Sequence, residues 1–187
     1  MRSRIVAYCL LLPLLLVAPI RAESEEAGWS ALADRPAVLI LRHAQTTPGT
    51  GDPANFRLGD CETQRNLSAG GKAQAQALGE ALRARGVTVT RVLASPWCRT
   101  RETAELLAVG PVEESALLAS TWNDRLNNPD RSDELRAKIA AWRGPGALVL
   151  VTHGINIAQL LGRSTRSGGG FVLLAEDQGV KLVAALP

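Results

Sequence analysis

The two histidines of this chain each follow a short run of apolar residues. His43 comes after residues 38–41 and Arg42, and His153 comes after residues 147–152. Such runs are typical of strands that are buried on both faces of a parallel sheet. Polar residues that end these strands lie at the carboxyl edge of the sheet, where open α/β folds bind ligands. The placement of both histidines therefore predicts that they belong to one site.

Two arginines add positive charge to this predicted site. Arg42 precedes the first histidine, and Arg99 lies in the first turn of a helix that a Ser-Pro pair is expected to start. A helix N-terminus favours anions, and a planar guanidinium can hold two phosphoryl oxygens at once. With His153, these arginines predict a pocket for a tetrahedral dianion around His43. A neutral imidazole in that position can attack phosphorus and form a covalent phosphohistidine.

The remaining elements predict an α/β domain with a mostly parallel sheet, because strands and helices alternate along the chain. Residues 45–66 form a long loop that starts directly after the first histidine, which favours a functional role for it. Ser68 and Ser95 are predicted to be helix N-caps. The predicted strands are residues 37–41, 87–94, 112–118, 147–153, 171–175 and 180–184, and the predicted helices are residues 68–86, 96–108, 132–142 and 155–161.

The N-terminus is typical of a secretory signal peptide over residues 1–22. Arg2 and Arg4 precede an apolar stretch that is shorter than the roughly 20 residues of a membrane-spanning helix, and Ala22 offers a small residue for cleavage. An uncleaved N-terminal anchor is the alternative, and it would be the chain's one contact with a membrane. We expect residues 23–36 to be a polar leader, residues 37–187 to be the catalytic domain, and the protein to be periplasmic or secreted.

Charge and cysteine content narrow the function further. The net charge of +3 comes from three arginines before residue 23, and the remaining 18 basic residues balance 18 acidic ones. This neutrality argues against a nucleic-acid partner.

Cys61 and Cys98 are the cysteines that follow the predicted signal peptide. In an oxidising compartment they form either one disulfide or two separate thiols.

Four segments in order resemble the histidine phosphatase superfamily, which has the phosphoglycerate-mutase-like fold. Residues 42–46 (RHAQT) resemble its R-H-G-x-T element, with alanine in place of glycine. Residues 67–75 (LSAGGKAQA) resemble its L-[ST]-x-x-G-x-x-Q-A helix start, and residues 95–104 (SPWCRTRETA) resemble its S-P-x-x-R element. Residues 152–154 (THG) resemble its second histidine element. The resemblance extends over nearly all of the chain after the signal peptide.

This resemblance implies a three-layer α/β/α sandwich and a mechanism without a cofactor. His43 would be the nucleophile, Arg42, Arg99 and His153 would bind the phosphoryl group, and Thr46 would contribute to substrate binding. The implied enzyme is a metal-independent, acid-type histidine phosphatase. Its implied partner is a phosphorylated small molecule or a sugar phosphate of the cell envelope. Metal binding is disfavoured independently, because neither histidine has a second ligand at metal-site spacing and the arginines would repel a cation.

The proton donor for the leaving group departs from the family pattern. Positions where relatives carry Glu or Asp hold Ser120 and Gly154 here. Asp124 is the nearest carboxylate and our predicted acid, while Asp60 and Glu62 are alternatives. A substrate with a good leaving group, such as a phosphohistidine or an acyl phosphate, would need no strong acid. The missing acid also favours a second hypothesis, a catalytically silent module that binds phosphorylated ligands. The intact set of two arginines and two histidines argues against it.

Overall fold

A computed structural model describes residues 20–122, 130–177 and 179–187, in which helices and strands alternate. Two short 3-10 helices, Cys61–Thr63 and Ala116–Leu118, lie between longer elements. The longer elements are α1 (Ile20–Asp34), β1 (Ala37–Arg42), α2 (Ala69–Ala84), β2 (Val89–Ala94), α3 (Cys98–Leu107), β3 (Val112–Glu114), α4 (Ser132–Ala140), β4 (Ala147–Thr152), α5 (Gly154–Leu161), β5 (Gly170–Glu176) and β6 (Gly179–Leu186).

The sheet has the strand order β3-β2-β4-β1-β5-β6. The first four strands in that order are parallel, and β5 and β6 are antiparallel to their neighbours. In the register between β1 and β4, Arg42 lies opposite Thr152. The carboxyl ends of these two central strands are therefore level, and the residue after each strand is a histidine. The prediction of a mostly parallel sheet is confirmed.

Helices cover both faces of the sheet, because the central strands are apolar on both sides. Leu39 and Leu41 of β1 belong to one buried cluster, whereas Val38 and Ile40 belong to another. Alternate side chains of a strand point to opposite faces, so these two clusters are the two sides of the sheet. The predicted three-layer α/β/α sandwich is confirmed. The first cluster includes Leu32 of α1, Leu82 of α2 and Leu107 of α3, and the second includes Ile139 of α4 and Ile157 of α5.

The segment predicted as a polar leader is instead mostly helical and belongs to the domain. Residues 23–34 lie in α1, whose Trp29 and Leu32 are buried in the first cluster. Three residues apart, these side chains share one face of the helix. The many acidic residues around them obscured this short apolar pattern in the sequence. The predicted signal peptide, apart from residues 20–22 at the start of α1, lies outside the described residues.

Other predicted elements differ mainly at their ends. Ser68 is the N-cap of α2, as predicted, and its hydroxyl accepts a hydrogen bond from Gly71 N. A side chain at Gly71 would collide with the backbone oxygen of Gln45, so the helix start requires glycine there. The strand predicted over residues 112–118 is shorter in the structure, because only Val112–Glu114 is a strand and Ala116–Leu118 is a 3-10 helix. Among the helices of the described residues, none combines the length and the apolar character that crossing a membrane requires.

Candidate active site

The two histidines lie side by side at the carboxyl edge of the sheet. The backbone N–H of His43 donates to Thr152 O at 2.9 Å, which ties the end of β1 to the end of β4. The ring centroids of His43 and His153 are 5.5 Å apart. Both side chains are buried. The level ends of two neighbouring strands therefore bring together residues that are 110 positions apart in the sequence.

Backbone contacts fix the protonation of His43. Its Nδ1 lies 2.9 Å from Ala44 O, which can only accept a hydrogen bond, so Nδ1 carries the hydrogen. The lone pair of the ring is then on Nε2. Burial, followed by the positive charge of Arg99, lowers the pKa of His43 to about 3. The ring is consequently neutral at physiological pH, with a nitrogen available as a nucleophile.

His153 is held by a serine at the end of β2. Its Nε2 lies 2.8 Å from Ser95 Oγ, and the ring of Trp97 packs edge-on at a centroid distance of 5.2 Å. Burial, the charge of Arg99 and the neighbouring His43 hold the pKa of His153 well below its usual value. The sequence predicted Ser95 to be the N-cap of α3, and this prediction is wrong because the helix begins only at Cys98. Its hydroxyl orients His153 instead.

The histidines line a cavity of about 440 Å³ together with three arginines, Arg42, Arg65 and Arg99. Arg42 donates from Nη1 to Thr165 O at 3.1 Å. The Nε atoms of Arg42 and Arg99 are buried and have no hydrogen-bond partner among the described residues. A buried charged donor without a partner is costly, so these atoms favour binding of an anion in the cavity.

Asp52 of the long loop lines the same cavity, a position that its sequence context does not predict. Its Oδ1 accepts from Arg99 Nη1 at 2.7 Å and from the backbone N–H of Arg65 at 3.1 Å. Its Oδ2 accepts from Trp97 Nε1 at 3.2 Å. Burial alone would raise the pKa of the carboxyl group, but the hydrogen bonds and charge of Arg99 outweigh it and lower the pKa. No periodic or motif signal in the sequence marks this residue.

Thr46, predicted to bind substrate, does not line the cavity. Its hydroxyl accepts from Arg65 Nη1 at 2.7 Å, and the same nitrogen donates to Gly49 O at 2.9 Å. Thr46 therefore orients one of the cationic groups of the cavity rather than facing a ligand there.

A disulfide attaches the long loop to the helix that carries Arg99. Cys61 and Cys98 are bonded, so of the two alternatives left by the sequence the structure has the bridge. Next to it, the backbone N–H of Cys98 donates to Gln64 Oε1 at 3.0 Å. Phe56 stacks on Trp97 at a centroid distance of 6.2 Å. These contacts hold the loop against the first turn of α3.

The predicted proton donors have different outcomes. Asp124 lies outside the described residues. Asp60 and Glu62 are carried by the long loop and do not line the cavity; Asp60 pairs with Arg57, and Glu62 is exposed. Asp52 is therefore the only carboxylate among the described residues that line the cavity.

Other side chains complete the walls of the cavity. Trp122, with 55 % of its surface exposed, lines it together with Ile155 and Ala158. Gly154 also lines it, and a side chain there would lie 3.4 Å from the guanidinium of Arg42. Within the described residues, no group of three or more His, Cys, Asp or Glu side chains is placed to hold a metal ion.

Comparison with known proteins agrees with this architecture. The family model described as histidine phosphatase superfamily (branch 1) matches residues 38–121. This range contains Arg42, His43 and Arg99 and ends before His153. Among curated proteins, no sequence matches this chain.

Three solved structures share the fold but are distant in sequence. The protein histidine phosphatase SixA, complexed with tungstate, is 19% identical, with 80% of this chain and 96% of that chain covered and a TM-score of 0.57. Phosphoserine phosphatase of Entamoeba histolytica is 12% identical, with 81% and 96% covered and a TM-score of 0.60. A mycobacterial glucosyl-3-phosphoglycerate phosphatase is 20% identical, with 79% and 97% covered and a TM-score of 0.57. Residues 38–121 of this chain thus match the histidine phosphatase superfamily model, and the whole domain has the fold of these phosphatases.

Proposed function

We propose that this protein is a phosphatase that hydrolyses phosphomonoesters through a phosphohistidine intermediate on His43. The observation that carries the proposal is the hydrogen bond from His43 Nδ1 to Ala44 O. It leaves the Nε2 lone pair of a neutral ring free in a cavity whose arginines have unpaired N–H groups. A nucleophile and anion-binding donors at one place are what phosphoryl transfer requires.

The reaction has two steps. In the first, His43 Nε2 attacks phosphorus, the bond from phosphorus to the ester oxygen breaks, and the leaving oxygen takes up a proton. Arg42, Arg99 and His153 hold the transferring group, and the guanidinium charges stabilise the negative charge of the transition state. In the second step, water attacks phosphorus, the bond from phosphorus to Nε2 breaks, and inorganic phosphate leaves with the neutral histidine restored.

The mechanism that we propose does not require a metal ion. The cavity already contains Arg42, Arg65 and Arg99, and their charges balance the dianion that a metal would otherwise neutralise. The positive charges of these arginines would also repel a divalent cation. Among the described residues, no cluster of carboxylates offsets that repulsion.

The printed names of the structural relatives support a broad substrate class. They include a protein histidine phosphatase, a phosphoserine phosphatase and a phosphatase of glucosyl-3-phosphoglycerate. For this chain we propose phosphomonoesters, with phosphoramidates and acyl phosphates as related substrates. We also propose that the enzyme is of the acid type and that its substrate is a phosphorylated small molecule such as a sugar phosphate of the cell envelope.

We also propose that the enzyme acts in the periplasm or outside the cell. The signal-like sequence of residues 1–22 supports this location. The Cys61–Cys98 disulfide supports it as well, because such bonds persist mainly in oxidising compartments.

The proposal is tested with 4-nitrophenyl phosphate in the presence of EDTA, comparing the wild type with His43→Ala. We expect the wild type to turn over with the chelator present and the variant to lose at least about 10³-fold in kcat, because the nucleophile is absent. Rapid quenching should trap phosphate on the wild type only. Circular dichroism and thermal unfolding serve as controls for the fold of the variant. A wild type that binds vanadate but neither turns over nor becomes phosphorylated would instead identify a silent binding module.

A further inference from the structure

We propose that Asp52 is the catalytic acid of this phosphatase, which protonates the leaving group after the phosphoryl group of the substrate has taken its place beside Arg99. This inference rests on the proposed phosphatase function and adds the group which that mechanism lacks. The positions where the family resemblance implies an acid hold Ser120 and Gly154, neither of which is a proton donor of suitable strength.

The position of Asp52 supports this role. Its side chain is 9% exposed and lines the cavity that also contains both histidines. Among the described residues of the cavity wall it is the only carboxylate. Its ion pair with Arg99, at 2.7 Å, places it next to a guanidinium that is expected to bind the phosphoryl group. A phosphoryl group bound by Arg99 would therefore lie beside Asp52, and the proposal requires its leaving ester oxygen to face this carboxyl group.

Substrate binding changes the environment of this carboxyl group. In the free protein, the pair with Arg99 keeps Asp52 ionised despite its burial. A phosphoryl dianion on Arg99 would compete for that guanidinium and bring negative charge close to Asp52. Both the remaining burial and this charge favour the protonated form of the carboxyl group, so Asp52 would take up a proton from solvent when substrate arrives. The charged and titratable groups that share the cavity with Asp52 are Arg42, Arg65, Arg99, His43 and His153.

The protons balance across both steps. As the bond from phosphorus to the ester oxygen breaks, the O–H bond of protonated Asp52 breaks and its hydrogen passes to the leaving oxygen. The resulting carboxylate then takes a proton from the water that attacks the phosphohistidine. The acid form is thereby restored, and when inorganic phosphate leaves, Asp52 releases its proton to solvent and pairs again with Arg99 as a carboxylate.

The test compares two substrates that differ in their need for an acid. 4-Nitrophenyl phosphate releases a stable phenolate, whereas glycerol 2-phosphate releases a basic alkoxide. For Asp52→Asn we expect kcat/KM on glycerol 2-phosphate to fall by about 10²-fold and kcat/KM on 4-nitrophenyl phosphate by less than about threefold. This ratio reports the steps up to ester cleavage, so the second step does not affect it. Glu62→Gln, which removes an exposed carboxylate of the same loop, is the matched control and should leave both values unchanged.

Three results would overturn the assignment. An equal loss on both substrates would show that Asp52 only positions Arg99, and no loss on either would show that it has no role. A leaving-group-dependent loss in Asp124→Asn, with none in Asp52→Asn, would transfer the role to Asp124. Quench trapping separates these results from failure of the proposed function, because a wild type without phosphohistidine would refute the phosphatase mechanism itself.

Discussion

The charged groups of the cavity come from two regions that differ in how they are held. The strand rim, which we define as Arg42, His43, Ser95, Arg99 and His153, lies at the ends of β1, β2 and β4 and in the first turn of α3. The first loop, residues 45–66, contributes Asp52 and Arg65 from irregular backbone. The rim is fixed by the sheet and its buried clusters, whereas the loop depends on a disulfide and a few side-chain contacts. The proposed nucleophile and phosphoryl-binding groups thus lie at the carboxyl edge of the sheet, and the loop adds the charged side chains of Asp52 and Arg65.

The proposed mechanism gives the two regions separate tasks. Transition-state stabilisation needs groups that do not move during reaction, and the rim meets that need. Exchange of Asp52 for a phosphoryl group on Arg99 needs a segment that can shift slightly, and an irregular loop meets it. Each prediction below tests whether the rim or the loop carries the stated effect.

The largest of these effects is expected at Arg99 of the strand rim. Arg99→Lys keeps the positive charge but loses the planar fork, so kcat/KM on 4-nitrophenyl phosphate should fall by up to about 10³-fold. Arg65→Lys, in the loop, should lower it by only about tenfold, because Arg65 is oriented by two contacts within the loop itself. Steady-state kinetics of both variants give the comparison.

Arg101→Lys is the matched control, since Arg101 lies on the same helix, is partly exposed and pairs with Glu114. It should keep wild-type kinetics. Equal losses in Arg99→Lys and Arg65→Lys would remove the distinction between rim and loop.

The second prediction concerns the attachment of the loop. Replacement of Cys61 and Cys98 together by serine should lower the free energy of unfolding by about 3 kcal/mol, because the bridge closes a long loop. KM for 4-nitrophenyl phosphate should rise by about tenfold, since Asp52 and Arg65 lose their fixed positions. Denaturant unfolding and kinetics measure the two effects.

Treatment of the wild type with a thiol reductant should reproduce the result, and the serine variant itself should not respond to it. A loss of stability with an unchanged KM would show that the bridge supports the fold but not the cavity.

Sequence alone predicted the rim well, for a physical reason. Residues 38–41 and 147–152 are apolar enough to be central strands on any arrangement of the chain, and parallel strands bring their carboxyl ends to one edge. The sequence therefore placed His43 and His153 at the same edge of the sheet, and the structure adds that their strands are neighbours. Arg99 was predictable because helix starts have local signals. The role of Ser95 was assigned wrongly, because its hydroxyl contacts a residue 58 positions away.

The loop and the N-terminal helix were not predictable by the same reasoning. Asp52 reaches Arg99 across 47 positions, and nothing local distinguishes it from Asp60, which stays outside the cavity. Thr46 orients Arg65 through contacts within the loop that have no sequence period. In α1, only Trp29 and Leu32 among many polar residues indicate the buried face. Long-range polar contacts and short apolar stripes carry little information in a single sequence.

The smallest effect is expected in the dependence of stability on pH, and it also separates the two regions. His43 has a pKa of about 3 in the folded state, well below its unfolded value of about 6.5. Between these values the unfolded chain binds a proton that the folded chain does not. Stability should therefore fall as pH decreases through this window, by about 1.4 kcal/mol per pH unit for this one group. Urea unfolding at pH 7, 6 and 5 in phosphate-free buffer measures the slope.

The variants assign that slope to a region. His43→Asn removes one of the two imidazoles of the rim whose pKa is lowered by folding, and it should reduce the slope by an amount that corresponds to up to about one proton. Asp52 in the loop has a lowered pKa, so its contribution is complete above its unfolded value of about 3.9 and is lost only at lower pH. Asp52→Asn should therefore keep the wild-type slope between pH 7 and 5. A slope that disappears in Asp52→Asn and persists in His43→Asn would show that the loop, rather than the buried imidazole of the rim, makes the protein sensitive to mild acid.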